Sequence, residues 1–355
     1  MVTAFDDIPV VSLADWRAPG ADRQAFADEV RRICHEVGFL MLVDHGIEQS
    51  GIDGWFEHLV RFFALPEATK ALIDKRNSSH FRGWERVGTE FTDNKVDVRE
   101  QVDLWSEHPA APSGIEPAYL GLNGPNQWLP EDVLPGFRTA AEEFFSRMGA
   151  LAEELMEVFA RGLGLPASTF SDRFGERPMS LVKVISYPPT PAGGAGVNAH
   201  KDTGFLTLLH QHRVAGLQAL NPDGEWIDVP PLRGAIVVNL GEMLQAMTGN
   251  YFVATTHRVI AHEARLSSAY FHGPDLRASL APLDLAPRFA RAVASSARHR
   301  SAGFMAKRDE LLRGANGTSS TPAPVYGEQL WNYFVRSYPE NVQLHYPDSA
   351  LRAGG

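Results

Sequence analysis

Short runs of β-prone residues, separated by Gly, Pro and Asn, fill the chain between residues 179 and 272. In order they read LVKVIS, FLTLL, GLQAL, AIVVNL, YFVATTHRVI and SSAYFH. Many short strands with turn residues between them are typical of a β-sandwich or jelly roll. The sequence therefore predicts an α+β fold with a mainly β core over residues 179–286.

Apolar residues at helical spacing predict helices on both sides of this core. The predicted helices span residues 22–37, 55–63, 66–74, 134–161, 288–298 and 327–336, and two further strands are predicted at residues 8–11 and 39–43. We expect the longest helix to lie as a spine against the sheet and the last one to close over the mouth of the core. Residues 106–130 are predicted to form a long loop and residues 314–324 a flexible stretch, because Gly, Pro, Asn, Ser and Thr dominate there.

Length and composition indicate an enzyme-sized chain without a nucleic-acid or membrane partner. The 355 residues are 44% hydrophobic, and we expect one domain over residues 1–355, with a mixed helical region at 1–178 and a helical cap at 287–355. The net charge is −10 and Lys and Arg form no cluster, which argues against nucleic acid. The single cysteine, Cys34, and the lack of a long apolar run favour a cytoplasmic protein. We expect a monomer or a weak oligomer.

Three residues in the β-rich region form a candidate metal site. His200 and Asp202 are two residues apart, so in an extended segment both side chains point to the same face. His257, on another predicted strand, would add a second imidazole. Two histidines and one carboxylate on one face of an octahedron leave three positions open, which is the arrangement of non-haem Fe(II) oxygenases.

A candidate carboxylate-binding pair follows His257. Arg265 and Ser267 are also two residues apart, so a guanidinium and a hydroxyl can share one face and hold a carboxylate. An acid that is anchored there would reach back to the metal.

The surrounding segments resemble the isopenicillin N synthase-like branch of the Fe(II)/2-oxoglutarate-dependent oxygenases. The matching segments are NAHKDTGFLTLLHQHRVAGLQAL (198–220), GEWIDVPP (224–231), VVNLGEMLQAMTGNYFVATTHRV (237–259), RLSSAYFHGPD (265–275), IPVVSLADW (8–16) and EVGFLMLVDHGI (36–47). This resemblance implies a double-stranded β-helix, the family's form of the jelly roll, whose open mouth holds Fe(II). It also implies that His200, Asp202 and His257 ligate the iron. Arg265, Ser267 and Tyr187 would then bind the distal carboxylate of 2-oxoglutarate.

By the same resemblance, the expected activity is the oxidation of a C–H bond of a small molecule, such as an amino acid or a secondary metabolite. Hydroxylation is the first choice, with 2-oxoglutarate and O2 as co-substrates and succinate as a product. Asp202 argues against halogenation, because related halogenases have a small residue at the position of the metal carboxylate. Three alternatives stay open: an isopenicillin N synthase-type oxidase that does not use 2-oxoglutarate, a zinc hydrolase, and a binding module without turnover.

Aromatic and basic residues near the predicted core are candidates for the substrate pocket. They are Phe81, Arg82 and Trp84 in the segment HFRGW, together with Trp105, Phe205, Tyr270 and His272. Large rings are buried in many places in proteins, so each of these aromatic residues is also a candidate for the core. A second pair of histidines, His210 and His212, has no acidic residue at ligand spacing, and we interpret it as structural.

Overall fold

An eight-stranded sheet forms the larger wall of the core. The computed structural model describes residues 5–92, 95–190, 194–300 and 323–347. The strands of this sheet follow the order β1-β2-β12-β9-β14-β7-β6-β3. They span Val10–Ser12 (β1), Phe39–Val43 (β2), Gly83–Glu85 (β3), Glu100–Trp105 (β6), Leu181–Tyr187 (β7), Leu206–Gln211 (β9), Ile236–Leu240 (β12) and Arg265–His272 (β14). Only the β1–β2 pair among these strands is parallel.

A four-stranded sheet forms the second wall, in the order β11-β10-β13-β8. Its strands span Val197–His200 (β8), Leu217–Leu220 (β10), Trp226–Asp228 (β11) and His257–Val259 (β13). A short hairpin of Phe91–Thr92 (β4) and Lys95–Val96 (β5) stands beside them. Residues of both larger sheets line one cavity, so the predicted jelly roll with a mainly β core is confirmed.

Helices flank the two sheets. They span Ala14–Arg17 (α1), Arg23–Glu36 (α2), Gln49–Phe63 (α3), Glu67–Lys70 (α4), Phe137–Gly162 (α5), Thr169–Phe174 (α6), Glu242–Met247 (α7), Pro287–Ser295 (α8), Ala297–Arg300 (α9), Tyr326–Ser337 (α10) and Pro339–His345 (α11). Three short 3-10 helices lie at Ala71–Ile73, Lys75–Asn77 and Ala118–Leu122. No helix within the described ranges is both long and apolar enough to cross a bilayer.

The 26-residue helix α5 is the predicted spine. Its apolar face, which includes Phe144, Met148 and Leu155, is buried against the outer face of the large sheet and against α2 and α3. Burying this stripe stabilises the fold by about 25 cal/mol for each Å² of apolar surface that is removed from water. The sheet is thereby held rigid on the side opposite the cavity.

The structure corrects several sequence-based predictions. Residues 251–256, predicted as strand, are not part of a sheet; the amide of Val253 donates instead to the carbonyl of Cys34 on α2. The strands β3 and β6 were not predicted, although they extend the large sheet. Four of its eight strands come from before residue 178, so the sheet crosses the predicted regional boundary. The division at residues 178 and 287 stays a prediction.

The C-terminal helix α10 contributes to the cavity wall, and its closure over the mouth stays a prediction. Tyr326, Leu330 and Tyr333 of this helix contribute to the cavity wall. Of the predicted flexible stretch, residues 314–322 lie outside the described residues.

Candidate active site

The strands β8 and β13 bring His200 and His257 together. The two strands are antiparallel and the two histidines are direct register partners, with their ring centroids 4.4 Å apart. On its other side β13 pairs with β10, so His257 lies on a central strand of the small sheet. Two residues 57 positions apart in the sequence are thus fixed face to face by strand pairing.

Asp202 lies just beyond the end of β8, in a loop that is held by backbone contacts. The amide of Glu242 donates to the carbonyl of Asp202 at 2.8 Å, and the amide of Gly241 donates to the carbonyl of Phe205 at 2.9 Å. A Cβ atom at Gly241 would lie 2.1 Å from the carbonyl oxygen of Gly204, so only glycine permits this approach. This contact fixes the loop that carries the carboxylate.

Each candidate ligand presents one atom to a common point. The Nδ1 atom of His200 bonds the carbonyl of Asn198 at 2.8 Å, and that of His257 bonds the carbonyl of Thr255 at 3.1 Å. Both Nε2 atoms therefore face Asp202 Oδ1, at 3.6 and 3.7 Å respectively. One ligand atom from each of the three residues lies within 4.8 Å of the others, and no other such group occurs in the part of the chain that the structure describes.

The second oxygen of Asp202 is held by the large sheet. Its Oδ2 atom accepts hydrogen bonds from Thr207 Oγ1 at 2.5 Å and from Asn239 Nδ2 at 2.7 Å. Burial by itself raises the pKa of Asp202, but attraction to the two histidines and the hydrogen bonds outweigh it and hold the pKa well below its usual range. Burial lowers the pKa of His257 to about 4. At neutral pH the site thus offers a carboxylate and a neutral imidazole, the forms that bind a metal ion.

Arg265 lies directly opposite Tyr187 on the neighbouring strand. The two are register partners on β14 and β7, and the Arg265 Cζ atom stands 5.0 Å from the centroid of the Tyr187 ring. Its Nη2 atom donates to Gln211 Oε1 at 3.0 Å. Because burial desolvates the guanidinium, the pKa of Arg265 is lowered.

Three polar atoms of Arg265 and Ser267 have no hydrogen-bond partner among the described residues. Arg265 Nε and Nη1 and Ser267 Oγ are buried and make no hydrogen bond to any residue in the described ranges, although all three line the cavity side of β14. A buried donor without an acceptor costs about 1–3 kcal/mol. An anion that accepts these bonds would remove that cost. The residues therefore fit both groups that the resemblance implies: a metal ion at the triad and a carboxylate at Arg265.

Two of the predicted pocket residues lie on the cavity wall. The cavity has a volume of about 1060 Å³ and reaches from the triad past Arg265 to the strands β3 and β6. Trp84 and Trp105 contribute to its wall, as do apolar residues of both sheets. A cavity of this size holds a keto acid and a second small molecule.

The structure does not bring the other five predicted pocket residues to this wall. Phe81 stacks on Phe334 at 4.4 Å between ring centroids, and Arg82 donates to the carbonyls of His80, Leu122 and Ser106. Arg82 is thus a buried link between loops. Phe205 packs edge-on against Phe174 at 4.8 Å.

Tyr270 and His272 face the opposite side of β14. Side chains alternate along a strand, so residues 270 and 272 share the face of Leu266 and not that of Arg265. Tyr270 packs against Phe145 of α5, and His272 Nε2 lies 3.3 Å from Glu153 Oε1 of the same helix. His210 is likewise buried on the helix side, against Phe144, and His212 stacks on Phe56, in agreement with their structural interpretation.

Several residues of the site were not predicted. Thr207, Gln211 and Asn239 hold Asp202 and Arg265, and a group of buried charged residues lines the far wall of the cavity: Lys75, Glu85, Glu90, Arg99, Asp103 and Lys183. The available signal was a polar residue inside an apolar strand run, such as Lys183 in LVKVIS and Asn239 in AIVVNL. Such residues rarely stay in a core without a function or a partner.

Comparisons with known proteins agree with this geometry. The profile described as "2OG-Fe(II) oxygenase superfamily" matches residues 178–274, and the one described as "non-haem dioxygenase in morphine synthesis N-terminal" matches residues 8–131. The 2-oxoglutarate-dependent dioxygenase frbJ of Dothideomycetidae sp. is 36% identical over 294 residues, which cover 79% of this chain and 78% of that protein.

Two further relatives extend the comparison. The homoarginine-6-hydroxylase 2-ODD-C23 of Glycine max is 30% identical, over 80% of this chain and 90% of that protein. The crystal structure of a full-length Neurospora crassa protein in complex with alpha-KG and 5-formyluracil is similar with a TM-score of 0.67 and 26% identity, over 78% of this chain and 88% of that one. The chain therefore belongs to the isopenicillin N synthase-like branch of the Fe(II)/2-oxoglutarate-dependent oxygenase superfamily, and it is a dioxygenase that uses Fe(II), 2-oxoglutarate and O2.

Proposed function

We propose that this enzyme hydroxylates a C–H bond of a small polar molecule such as an amino acid or a secondary metabolite. In this proposal His200, Asp202 and His257 hold the iron. Arg265, Ser267 and Tyr187 bind the distal carboxylate of 2-oxoglutarate. The observation that carries the proposal is the convergence of three ligand atoms within 4.8 Å beside a buried arginine with unused donors.

The residues around the triad orient the ligands. Hydrogen bonds to the carbonyls of Asn198 and Thr255 fix which nitrogen each imidazole presents, and Thr207 and Asn239 fix the rotation of Asp202. Contacts of this kind commonly change metal affinity 10- to 100-fold. When bound, Fe(II) supplies the centre at which 2-oxoglutarate, O2 and the substrate react, with succinate and CO2 as products of the keto acid.

Apolar side chains of the cavity wall would keep water away from the keto acid. Ile185, Leu209 and Val259 lie on the same cavity wall as the triad and Arg265. A wall of this kind strengthens the charge contacts inside it, because the local dielectric is low. Arg265 is 2% exposed, so its interaction with a carboxylate is shielded from salt and solvent.

Other activities have less support. Relatives named as 2-oxoglutarate-dependent dioxygenases, and one named as a homoarginine hydroxylase, favour a reaction with 2-oxoglutarate and hydroxylation of an amino acid. A zinc hydrolase leaves the unpaired donors of Arg265 unexplained.

We also propose a cytoplasmic protein that acts as a monomer or weak oligomer, without nucleic acid or membrane partners. The net charge of −10 and the buried free thiol of Cys34, whose pKa is raised by burial, support a reducing compartment and a small-molecule partner.

The direct test is a screen of a small-molecule extract for stimulated succinate formation by the Fe(II)-loaded protein with 2-oxoglutarate and O2. We expect stimulation by at least one compound, a product that is heavier by one oxygen atom, and inhibition by Zn(II). Conversion of a compound without succinate release would contradict the use of 2-oxoglutarate. Activity supported by Zn(II) would instead indicate a hydrolase.

A further inference from the structure

Seven charged residues form a chain of alternating sign, and all of them except Asp97 line the far wall of the cavity. In order they are Asp97, Arg99, Glu90, Lys183, Asp103, Lys75 and Glu85. We call this group the ionic chain. Each residue in it forms an ion pair with the next. The chain contains four carboxylates and three cations, with a carboxylate at both ends.

The ion pairs of the chain are close and shielded from solvent. Arg99 Nη2 lies 3.1 Å from Asp97 Oδ2 and 2.6 Å from Glu90 Oε2. Lys183 Nζ lies 3.3 Å from both Glu90 Oε1 and Asp103 Oδ1. Lys75 Nζ lies 2.6 Å from Asp103 Oδ2 and also contacts Glu85 Oε2. Burial opposes the charge on Lys183, but the neighbouring carboxylates outweigh it and raise its pKa.

The Asp97 end of the chain is fully satisfied. Asp97 Oδ1 accepts from the backbone amide and the side chain of Asn198, and Oδ2 accepts from Thr92 Oγ1 at 2.6 Å. Asn198 is also the residue whose carbonyl holds the ring of His200. This end is therefore anchored to the strand of the metal site and has no room for another partner.

The Glu85 end is not satisfied in the same way. All its bonds go to one oxygen: Glu85 Oε2 accepts from Lys75, from Gln101 Nε2 at 2.6 Å and from Tyr338 Oη at 3.3 Å. No residue within the described ranges donates to Glu85 Oε1, and Glu85 lies on the cavity wall. The chain thus ends on a residue of the cavity wall whose second carboxylate oxygen has no donor among the described residues.

The ionic chain has one more carboxylate than it has cations. An uncompensated negative charge in a buried site has an unfavourable free energy. Removing an ion from water costs several kcal/mol unless a partner of opposite charge compensates it. Of the other cations of this wall, Arg76, Arg86 and Arg336 are exposed to solvent, and neither Arg265 nor Lys201 forms an ion pair with a carboxylate of the ionic chain among the described residues. A ligand in the cavity could supply a fourth cation at the Glu85 end of the chain.

We propose that the substrate carries a cationic nitrogen group, an ammonium or a guanidinium, which binds Glu85 and completes the ionic chain. This inference rests on the proposed function, because it names the substrate class of the same cavity. Trp105 supports a polar ligand independently: its Nε1 donor is buried, lines the cavity and finds no acceptor among the residues that the structure covers. Trp105 follows Asp103 by two positions on β6, so both face the cavity. A substrate with a cation near Glu85 and an acceptor near Trp105 would satisfy both.

The first test needs no variant. A small-molecule extract is separated at neutral pH on a cation exchanger, and the retained and unretained fractions are assayed for stimulated succinate formation. We expect at least tenfold more stimulation from the retained fraction. Stimulation by the unretained fraction, or by neither, would overturn the proposal. Succinate formed without any extract reports the oxygenase itself, so the loss of that basal signal would contradict the proposed function instead.

The second test uses pairs of compounds that are similar in shape and differ in side-chain charge, together with the isosteric variant Glu85→Gln. The pairs L-arginine with L-citrulline, and L-lysine with L-norleucine, together with any compound isolated from the retained fraction, are compared by kcat/KM. We expect the variant to raise KM for the cationic compounds at least tenfold, with a smaller change in kcat, and to lose the preference for the charged member of a pair. A purely structural role would lower activity on all compounds alike and leave that preference intact, which would overturn the proposal.

Glu100→Gln is the matched control. Glu100 lies on the other face of β6, outside the cavity wall, and pairs with Lys70 at 2.6 Å. Glu100 also accepts a hydrogen bond from Trp84 Nε1 at 3.0 Å. Its replacement breaks an ion pair of the same strand without altering Glu85, so it measures the effect of losing an ion pair near the cavity. We expect this control to keep the preference for cationic compounds and to change KM by less than twofold.

Discussion

Asn239 donates a 2.7 Å hydrogen bond to Asp202 Oδ2, so a central strand of the large sheet holds the carboxylate of the candidate metal site. Asp202 itself lies in a loop after β8, on the side of the small sheet. The two walls of the jelly roll therefore meet at this carboxylate, and its orientation depends on their relative position.

This relationship predicts the effect of Asn239→Ala. The carboxylate loses one of its two donors on Oδ2, and we expect Fe(II) affinity to fall about 10- to 100-fold while the fold is kept. Anaerobic calorimetric titration of Fe(II) measures the change. The exposed Asn332 of α10 provides the control Asn332→Ala, for which the affinity should not change. Equal affinity in both variants would show that the hydrogen bond does not position the ligand.

Replacement of Arg265 distinguishes the binding of 2-oxoglutarate from the binding of the metal ion. Charge-assisted hydrogen bonds contribute roughly 1.5–3 kcal/mol, so Arg265→Ala should raise the KM for 2-oxoglutarate about 10- to 100-fold. Fe(II) binding should remain within threefold of the wild-type value, because Arg265 makes no contact with the triad. Loss of iron in this variant would mean that the guanidinium does not anchor the keto acid.

Ser267 and Ser268 offer an internal comparison on one strand. Ser267 Oγ, on the cavity face, has no hydrogen-bond partner among the residues that the structure describes, whereas Ser268 Oγ accepts from Trp55 Nε1 at 2.9 Å on the other face. We expect Ser267→Ala to weaken 2-oxoglutarate binding about five- to tenfold with little loss of stability. Ser268→Ala should do the reverse, with a loss of about 1 kcal/mol in unfolding free energy and unchanged affinity. The same loss of affinity in both variants would contradict the assignment of the two faces.

Acid should destabilise the protein through His210. Burial lowers the pKa of His210 to about 3, and neither ring nitrogen has a hydrogen-bond partner among the described residues. The unfolded chain therefore takes up a proton below pH 6.5 that the folded protein does not, and stability is lost progressively between pH 6.5 and about 3. His210→Leu removes this contribution. Between pH 7.5 and 5.5 the wild type should lose about 1.4 kcal/mol more than the variant in urea unfolding. Equal losses would show that His210 takes up its proton in the folded state as well.

Site residues were predicted correctly from the sequence where the alternation of side chains along a strand was used. The spacing of Arg265 and Ser267 places both on one face of β14, as the structure has them. The same rule, applied to Tyr270 and His272, puts them on the helix side, because each is an odd number of residues from Arg265. Their prediction as pocket residues was based on their closeness in sequence to Arg265 and Ser267, and it did not take the alternation of side chains along the strand into account.

Other contacts of the site depend on the pairing of strands that are far apart in the sequence, and this pairing cannot be read from a single sequence. The contact between His200 and His257 requires β8 and β13 to pair in one particular register. The ionic chain joins the segment at Lys75 with β3, β6 and β7, and its members are isolated charges in the sequence. Asp103 in EQVDLW and Lys183 in LVKVIS become meaningful only when β6 and β7 are known to be neighbours.

The central claim is that His200, Asp202 and His257 hold one Fe(II) that 2-oxoglutarate then chelates. Anaerobic titration of Fe(II) and 2-oxoglutarate, followed by visible absorption, tests it most directly in the wild type, in His257→Ala and in the exposed control His262→Ala. We predict one Fe(II) for each chain and a weak charge-transfer band that needs both additions, in the wild type and the control only. A band of equal intensity in His257→Ala, or none in the wild type, would contradict the account.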